Sequence, residues 1–333
     1  MVSSLRFDRV EYRLEKTGRR LISDCSFTVQ PGELVVILGS SGSGKTTLLK
    51  LVNRLYEASS GAIYLADADI RQLSLPTLRR QIGYVIQQGG LFPHLTVASN
   101  IAIVPRLLKW NKPKIQGRVE ELLDLVGLPP RDYRDRYPAQ LSGGQQQRVG
   151  LARALAANPQ VMLMDEPFGA LDALTRTSLQ TEILRLQQQL QKTILFVSHD
   201  VEEALRLADR ILILDRGEII QFDTPLAILQ RPASGFVAQL LGAEDIFRQL
   251  SLLRVEQVMA PLTSVELQAQ IPQIPIATDL RTALAMLLQT EARQLQVVDQ
   301  QAAIGVVSLE TIFNLVKKRT PLLQGSVDLS GTS

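Results

Sequence analysis

Short apolar runs alternate with longer amphipathic stretches through most of the chain. A run of about four to eight apolar residues is typical of a strand buried on both faces, as in a parallel sheet. Such runs lie at residues 34–38, 82–86, 161–165 and 193–197. Strands that alternate with helices predict an α/β fold with a mainly parallel sheet.

Weaker strand signals lie at both ends of this region. Residues 5–14 alternate in the manner of an edge strand, and residues 26–29 predict another strand before the turn at 30–33. Residues 211–214 and 218–222 predict a hairpin, because the polar and glycine residues between them favour a tight turn. The sheet is therefore expected to have an antiparallel edge.

The pattern is helical, with few strand signals, from about residue 87 to 155, and it changes again past Gly242. A helix is predicted at 279–288, two strands at 294–299 and 303–308, and a second helix from 309 to 318. One face of the first helix would carry Leu280, Ala283, Leu284, Leu287 and Leu288.

Length and composition narrow the class of protein. A chain of 333 residues favours two domains, and its 45% apolar and 21% charged residues are ordinary for a globular protein. The net charge of +3 is spread along the chain and does not indicate nucleic acid. The single cysteine, Cys25, cannot form an intramolecular disulfide and is expected to pack in the core.

Neither a membrane-spanning helix nor a secretory signal is visible in the sequence. No apolar run approaches the roughly 18 residues that a spanning helix needs, and residues 1–8 lack the apolar block of a signal peptide. We therefore expect a cytosolic protein, which would serve a membrane only by docking to another subunit.

A phosphate-binding loop follows the first apolar run. Residues 39–46, Gly-Ser-Ser-Gly-Ser-Gly-Lys-Thr, match the pattern G-x-x-x-x-G-K-[ST] between a strand and a helix. Glycines let the backbone amides approach a polyphosphate, Lys45 would reach the β- and γ-phosphates, and Thr46 would offer its hydroxyl to Mg²⁺. The residues expected to bind a nucleoside triphosphate are then Gly39, Ser40, Ser41, Gly42, Ser43, Gly44, Lys45, Thr46 and Thr47.

A second motif, Leu-Ser-Gly-Gly-Gln, lies at residues 141–145. It indicates a function only in a chain that also has a phosphate-binding loop. In this order the two motifs resemble those of the ATPase subunits of ABC transporters, and the resemblance extends from the N-terminus to about Gly242. It implies a P-loop NTPase domain of the ABC type at 1–242, with an inserted helical subdomain at about 88–155. It also implies ATP as substrate and Mg²⁺ as cofactor.

The resemblance assigns roles to the polar residues that follow the strands. Glu166 would polarise the attacking water, His199 would contact the γ-phosphate, and Gln87 would sense Mg²⁺ and the water. Asp165 would hold Mg²⁺ together with Thr46 and Gln87. Without the phosphate loop beside them, two carboxylates at a strand end are simply solvated about as often as they have a catalytic or metal-binding role.

The second motif implies a homodimer, since one chain cannot bring its own motif to its own phosphate loop. Ser142 is expected to cap the helix that begins near Gly144. Its hydroxyl and the following residues would face the ATP of the opposite subunit, and Asp172 lies in the loop that crosses the interface in this family. The residues that act in trans are Ser142, Gly143, Gly144, Gln145 and Asp172. Tyr12 occupies the place of the aromatic residue that stacks on adenine, or else only fills a strand.

Residues 83–88 and 91–97 resemble the segment of bacterial importer ATPases that receives a short cytoplasmic helix of the permease. His94 would then belong to the docking surface. Integral membrane permease subunits are the implied partners, with an extracytoplasmic solute-binding protein acting indirectly. The location implied is the cytoplasmic face of the bacterial inner membrane, where the subunit is peripheral.

The C-terminal pattern, with residues 255–259 before it, resembles a single CBS motif. It predicts a small α+β CBS-like domain at 255–320, a linker at 243–254 and a mobile tail at 321–333. An ATPase followed by CBS sequence resembles importers of glycine betaine, proline, choline and related osmoprotectants. An importer for amino acids or another small solute is the nearest alternative. A soluble ABC ATPase of DNA repair or ribosomes is more distant, because its coiled-coil insertion or second ATPase unit is not visible.

What the C-terminal domain senses stays open in the sequence. Ser308 is followed three residues later by Thr311, where nucleotide-binding CBS domains have an acid, so Ser308 is expected to be a helix N-cap. Lys317, Lys318 and Arg319 either sense ionic strength near a membrane or form an ordinary solvated helix end.

Overall fold

The computed structural model describes residues 4–15, 17–87, 90–169, 171–262, 271–300 and 302–319. Internal contacts divide the chain into two compact units, Met1–Pro225 and Leu226–Ser333. The division lies after Pro225, whereas the sequence places the end of the first domain at Gly242.

The first unit contains two sheets. In chain order its strands are β1 (Leu5–Arg13), β2 (Arg20–Val29), β3 (Leu34–Leu38), β4 (Ser60–Leu65), β5 (Ala68–Asp69), β6 (Ile82–Val85), β7 (Val161–Asp165), β8 (Thr193–Val197), β9 (Arg210–Asp215) and β10 (Glu218–Asp223). Its helices are α1 (Lys45–Val52), α2 (Leu75–Arg80), α3 (Val97–Ile101), α4 (Ile103–Leu107), α5 (Lys112–Leu125), α6 (Pro130–Tyr133), α7 (Gly143–Leu155), α8 (Ala173–Leu190) and α9 (Val201–Leu207).

The larger sheet has the order β10-β9-β3-β8-β7-β6. Every neighbouring pair is parallel except β9 and β10, so the predicted parallel sheet with an antiparallel edge is confirmed. Strands β3 and β8 are buried along their whole length, and each has a neighbouring strand on both sides. The carboxyl ends of β3, β6, β7 and β8 therefore meet at one edge, where the candidate site lies.

The smaller sheet is antiparallel and has the order β2-β1-β4-β5. The prediction that β1 is an edge strand is wrong, because β1 is paired on both sides, with β2 and with β4. A register shift between Phe7 and Val10 coincides with Arg9 at a φ of 46°. This bulge moves the buried face from odd positions to even ones, so that Val10 and Tyr12 point into the core.

Helices occupy the segment between β6 and β7, as the sequence predicts. Within the described part of that segment, α3, α4, α5, α6 and α7 follow one another without a strand. Asn100 is fully buried and joins α3 to the preceding loop, since its side chain bonds the backbone of Phe92 and the carbonyl of Leu95. The loop after β6 is thereby fixed against the helical segment.

The second unit has its own core around a four-stranded sheet. Its helices are α10 (Pro225–Gln230), α11 (Gly235–Leu241), α12 (Ile246–Leu252), α13 (Leu280–Thr290) and α14 (Leu309–Arg319). Its strands are β11 (Ala260–Pro261), β12 (Gln273–Pro275), β13 (Gln294–Asp299) and β14 (Ala302–Ser308), in the sheet order β11-β14-β13-β12. The predicted order of helix, two strands and helix is confirmed by α13, β13, β14 and α14.

Two details of this unit differ from the sequence analysis. Residues 243–254, predicted as a linker, contain α12, and both Leu250 and Leu253 are buried in the core of the second unit. Leu288 is 63% exposed, although Leu280 and Leu287 on the same helix are buried. At 3.6 residues per turn Leu288 lies about 80° from Leu280, at the margin of the apolar stripe.

Ser308 caps α14, as expected. Its Oγ accepts from the Thr311 N–H at 3.2 Å, and Thr311 Oγ1 accepts from the Ser308 N–H at 2.9 Å. The side chains of residues 317–319 and the predicted mobile tail at 321–333 lie outside the described residues. No helix in the described ranges is both long enough and apolar enough to cross a bilayer.

Candidate ATP-hydrolysis site

The phosphate loop turns between the end of β3 and the start of α1. Gly44 precedes α1 at a φ of 108°, and a Cβ there would lie 2.7 Å from Ile22 Cδ1, so only glycine fits. The loop opens into a pocket of about 680 Å³, within the about 300–1,000 Å³ typical of small-molecule sites. The pocket is lined by Arg19, Leu21, Ser41, Gly42, Ser43, Gly44, Lys45, Thr46, Thr47, Glu166 and His199.

Lys45 is held across the loop by backbone carbonyls. Its Nζ donates to Gly39 O at 2.8 Å and to Ser40 O at 2.9 Å, and the residue is only 7% exposed. Burial lowers the pKa of Lys45, while the nearby Glu166 and Asp165 carboxylates act in the opposite direction. The side chain places a cationic group at the base of the pocket, where it can meet a polyphosphate.

The Asp165 carboxylate, at the end of β7, lies between two hydroxyl groups. Thr46 Oγ1 donates to its Oδ1 at 2.9 Å, and the Tyr84 hydroxyl donates to its Oδ2 at 3.5 Å. Burial raises the pKa of Asp165, although the hydrogen bond from Thr46 opposes this. A carboxylate beside a threonine hydroxyl is the hard oxygen ligand set that Mg²⁺ prefers, so these residues fit that ion.

Glu166 follows directly, and its carboxylate is held by two side chains that lie just after other strands, β6 and β8. Gln87 Nε2 donates to Glu166 Oε2 at 2.9 Å, and His199 Nδ1 lies 3.2 Å from the same oxygen. The backbone of Glu166 has a φ of 44°, and its N–H donates to Val197 O at 3.0 Å. A non-glycine residue in this region is strained and is retained where surrounding contacts enforce it.

Comparison with known proteins identifies this arrangement. The ABC transporter family matches residues 22–169. The glycine betaine/carnitine/choline transport ATP-binding protein OpuCA of Bacillus subtilis (strain 168) is 46% identical over 312 residues, which cover 92% of this chain and 79% of that protein. The glycine betaine uptake system ATP-binding protein YehX of Escherichia coli (strain K12) is 47% identical over 284 residues, covering 85% of this chain and 91% of that protein.

Among solved structures, the dimeric ATP-binding cassette MJ0796, in a post-hydrolysis state bound to ADP and Pi, is similar with a TM-score of 0.59. It is 32% identical and covers 66% of this chain and 98% of that one.

The chain belongs to the ABC transporter family, as an ATP-binding subunit. The fold class, the P-loop NTPase of the ABC type, and the ATPase activity expected from the sequence are thereby confirmed.

The family signature lies apart from the phosphate loop of this ABC subunit. Ser142 Oγ accepts from the Gln145 N–H at 3.3 Å, and Gln145 Oε1 accepts from the Ser142 N–H at 3.0 Å, so Ser142 caps α7 as predicted. Gly144 is enforced by packing, because a Cβ there would lie 2.4 Å from Thr175 Cγ2. Among the described residues, none of the signature lines the pocket around Lys45.

Asp172 caps the next helix, α8. Its Oδ1 accepts from the Thr175 N–H at 3.0 Å, and that hydrogen bond lowers the pKa of Asp172. The structure therefore gives Asp172 a partner within its own subunit.

Tyr12 does not line the pocket. Its ring stacks on Tyr56 with centroids 5.1 Å apart, and the residue is 7% exposed. The bulge in β1 turns Tyr12 into the core, so the structure does not place it for stacking on adenine.

Sequence reasoning missed three residues around the site. Arg19 and Leu21 line the pocket from the β2 side. Gln147, on α7, donates from Nε2 to Gln87 O at 3.2 Å and to Pro167 O at 2.7 Å. The two further glutamines directly after the signature, Gln146 and Gln147, were a signal for the last, because a half-buried amide near two loop carbonyls can join them.

Proposed function

We propose that this chain is the ATPase subunit of a bacterial importer for glycine betaine, choline, carnitine and related quaternary-amine solutes. The observation that carries the proposal is its 46% identity to OpuCA across 92% of its length. That similarity extends beyond the ATPase motifs into the C-terminal unit. The ATPase core alone would not favour one solute, because it does not contact the cargo.

Hydrolysis is assigned to the cluster at the strand ends. Glu166 acts as general base for the attacking water, and Gln87 and His199 orient its carboxylate. Lys45 and the loop amides bind the phosphates, while Thr46 and Asp165 hold Mg²⁺. When bound, Mg²⁺ supplies charge neutralisation for the phosphate oxygens.

The active form is a homodimer in which each signature serves the phosphate loop of the other subunit. The separation of Ser142 from the pocket lined by Lys45 supports this arrangement. So does the dimeric state of the MJ0796 cassette, which is 32% identical. A C₂ pair would form two equivalent composite sites.

A groove beside the loop after β6 is proposed to receive a cytoplasmic helix of the permease. It is lined by Arg79, Ile82, Tyr84, Phe92, Ile103, Val104 and Arg153, among others. Phe92 is 45% exposed, and its ring lies 6.1 Å from that of His94, so an apolar side chain of a partner could pack there. Movement of this loop would reach the catalytic base through Gln87. The subunit would lie peripherally on the cytoplasmic face of the inner membrane, and the extracytoplasmic solute-binding protein would act only through the permease.

The second unit is proposed to be a single CBS-like domain that pairs with its copy and regulates transport. Helices α13 and α14 each leave a large apolar side chain in solvent, Leu288 at 63% and Phe313 at 58% exposure. Exposed apolar groups of this size favour association. The ATPase dimer would bring two copies near each other.

The test is reconstitution of the subunit with its permease and its solute-binding protein. ATPase activity in proteoliposomes is measured with glycine betaine, choline, carnitine or a panel of amino acids supplied to the binding protein. Stimulation by the quaternary amines supports the proposal. Stimulation by amino acids alone overturns it in favour of the nearest alternative.

A further inference from the structure

The side of the pocket formed by the chain that enters β2 has no aromatic platform for a nucleobase. Among the described residues that line the pocket, none is Phe, Tyr or Trp. Tyr12 is stacked on Tyr56 in the core, and the sequence has no Phe, Tyr or Trp between Tyr12 and Phe27. A nucleobase held by the described lining residues on this side of the pocket therefore rests on a side chain other than Phe, Tyr or Trp.

Leu21 and Arg19 line the pocket on its β2 side, beside the phosphate loop. The carbonyl oxygen of Leu21 lies 3.0 Å from the position that a Cβ of Gly44 would take, which places Leu21 beside the last residue of the phosphate loop. Arg19 stands two residues before Leu21. Because an extended chain advances about 3.3 Å per residue, the backbone of Arg19 lies about 6.6 Å from that of Leu21. Its carbonyl accepts from the Leu14 N–H at 2.9 Å, which fixes the backbone there.

The Arg19 guanidinium is also free to stack. Within the described ranges it has no ion-pair partner, whereas the neighbouring Arg20 donates to Ser23 Oγ at 2.9 Å. A guanidinium is planar and weakly hydrated, and it stacks on flat π-systems. The guanidinium plane can stack on any of the nucleobases, because every base has a π-face and stacking does not depend on the hydrogen-bonding groups of the base.

We propose that the Arg19 guanidinium, with the Leu21 side chain, forms the platform for the nucleobase, and that this platform accepts purine and pyrimidine bases with little discrimination. The subunit then hydrolyses GTP and CTP as well as ATP. The inference concerns nucleotide recognition and is independent of the transported solute.

The competing role for Arg19 is a purely electrostatic one, in which its charge attracts the phosphates. The two roles predict different substitution series. A stacking platform is lost in Arg19→Ala and restored by the uncharged ring of Arg19→Tyr. If the charge of Arg19 acts on the phosphates, Arg19→Lys should keep nucleotide binding, and Arg19→Tyr should not restore it.

The experiment measures binding of ATP, GTP and inorganic tripolyphosphate to the full-length protein by calorimetry, with a chelator present to prevent hydrolysis. We expect the Kd of wild type for GTP to lie within about threefold of that for ATP. Arg19→Ala should raise the Kd for ATP and GTP about tenfold, the size expected for one stacked base, and leave tripolyphosphate unchanged. Arg19→Tyr should recover most of the loss. Arg20→Ala, which removes the same charge one residue away, is the matched control and should bind all three ligands like wild type.

Three results would overturn the proposal. The first is unchanged ATP binding in Arg19→Ala. The second is a parallel loss of tripolyphosphate binding, with recovery by lysine and not by tyrosine, which identifies the electrostatic role. The third is a wild-type preference for ATP over GTP greater than about tenfold, which requires a base-reading group that this platform lacks.

Discussion

Gln87 Nε2 donates to Glu166 Oε2 at 2.9 Å, although 79 residues separate them in the chain. Gln87 follows β6, and Glu166 follows β7, its parallel neighbour. His199, after β8, reaches the same oxygen from the other side at 3.2 Å. The carboxylate proposed as the base is thus fixed by groups at the ends of the two strands that flank its own, and a shift of the Gln87 loop would change its orientation.

Substitution of Glu166 by glutamine should leave ATP binding intact and lower hydrolysis by about 10²- to 10⁴-fold, because the amide keeps the shape and cannot accept a proton. Size-exclusion chromatography with ATP should show a stable dimer. Turnover close to wild type would remove Glu166 from the role of base.

Tyr84→Phe removes the hydroxyl on Oδ2 of Asp165 and leaves the Thr46 contact on Oδ1. Because a net hydrogen bond contributes about 0.5–1.5 kcal/mol, we expect the Mg²⁺ concentration for half-maximal ATPase activity to rise about two- to tenfold. ATP binding without metal should not change. Tyr64→Phe, on β4 outside the pocket, is the matched control. Equal Mg²⁺ dependence in the two variants would show that Tyr84 does not position Asp165.

Ser142→Arg should permit nucleotide binding and prevent dimer closure, because a bulky cation would occupy the space for the partner's ATP. A mixed dimer of Ser142→Arg with Lys45→Ala is the informative case. Both lesions can fall in one composite site, so the other site is intact, and the mixed dimer should hydrolyse ATP while each homodimer does not. Normal ATP-dependent dimerisation of the Ser142→Arg homodimer would refute the trans arrangement.

The pair Leu288→Glu and Phe313→Glu should weaken self-association of the second unit, since two charges per subunit would face each other across the proposed contact. ATPase activity should persist in proteoliposomes, while its regulation by salt or by a regulatory ligand is lost. Phe247→Glu, at a residue 50% exposed on α12, is the control in the same unit. Regulation that survives the double substitution would sink the proposed role of this surface.

Contiguous motifs could be interpreted from the sequence because their chemistry depends on neighbours in the chain. The loop at 39–46 and the cap at Ser142 each combine a local backbone shape with a side chain a few residues away, and Asp165 and Glu166 stand directly at the end of β7. The apolar runs of β3, β7 and β8 also predicted the parallel sheet, since burial on both faces leaves an uninterrupted apolar stretch.

The sequence by itself determined the phosphate loop, the signature helix and the alternation that builds the sheet. Only the tertiary structure showed where the side chains of Tyr12 and Arg19 lie. A one-residue bulge at Arg9 reverses which face of β1 is buried. The apolar positions of the sequence shift there too, from Leu5 and Phe7 to Val10 and Tyr12, but only the pairing of β1 with β2 and β4 shows that both sets face the core. Tyr12 was thereby placed in the core beside Tyr56, while the pairing of β1 with β2 left Arg19 and Leu21 at the pocket. The meeting of Gln87, Glu166 and His199 likewise depends on which strands become neighbours, and that order is a property of the folded sheet.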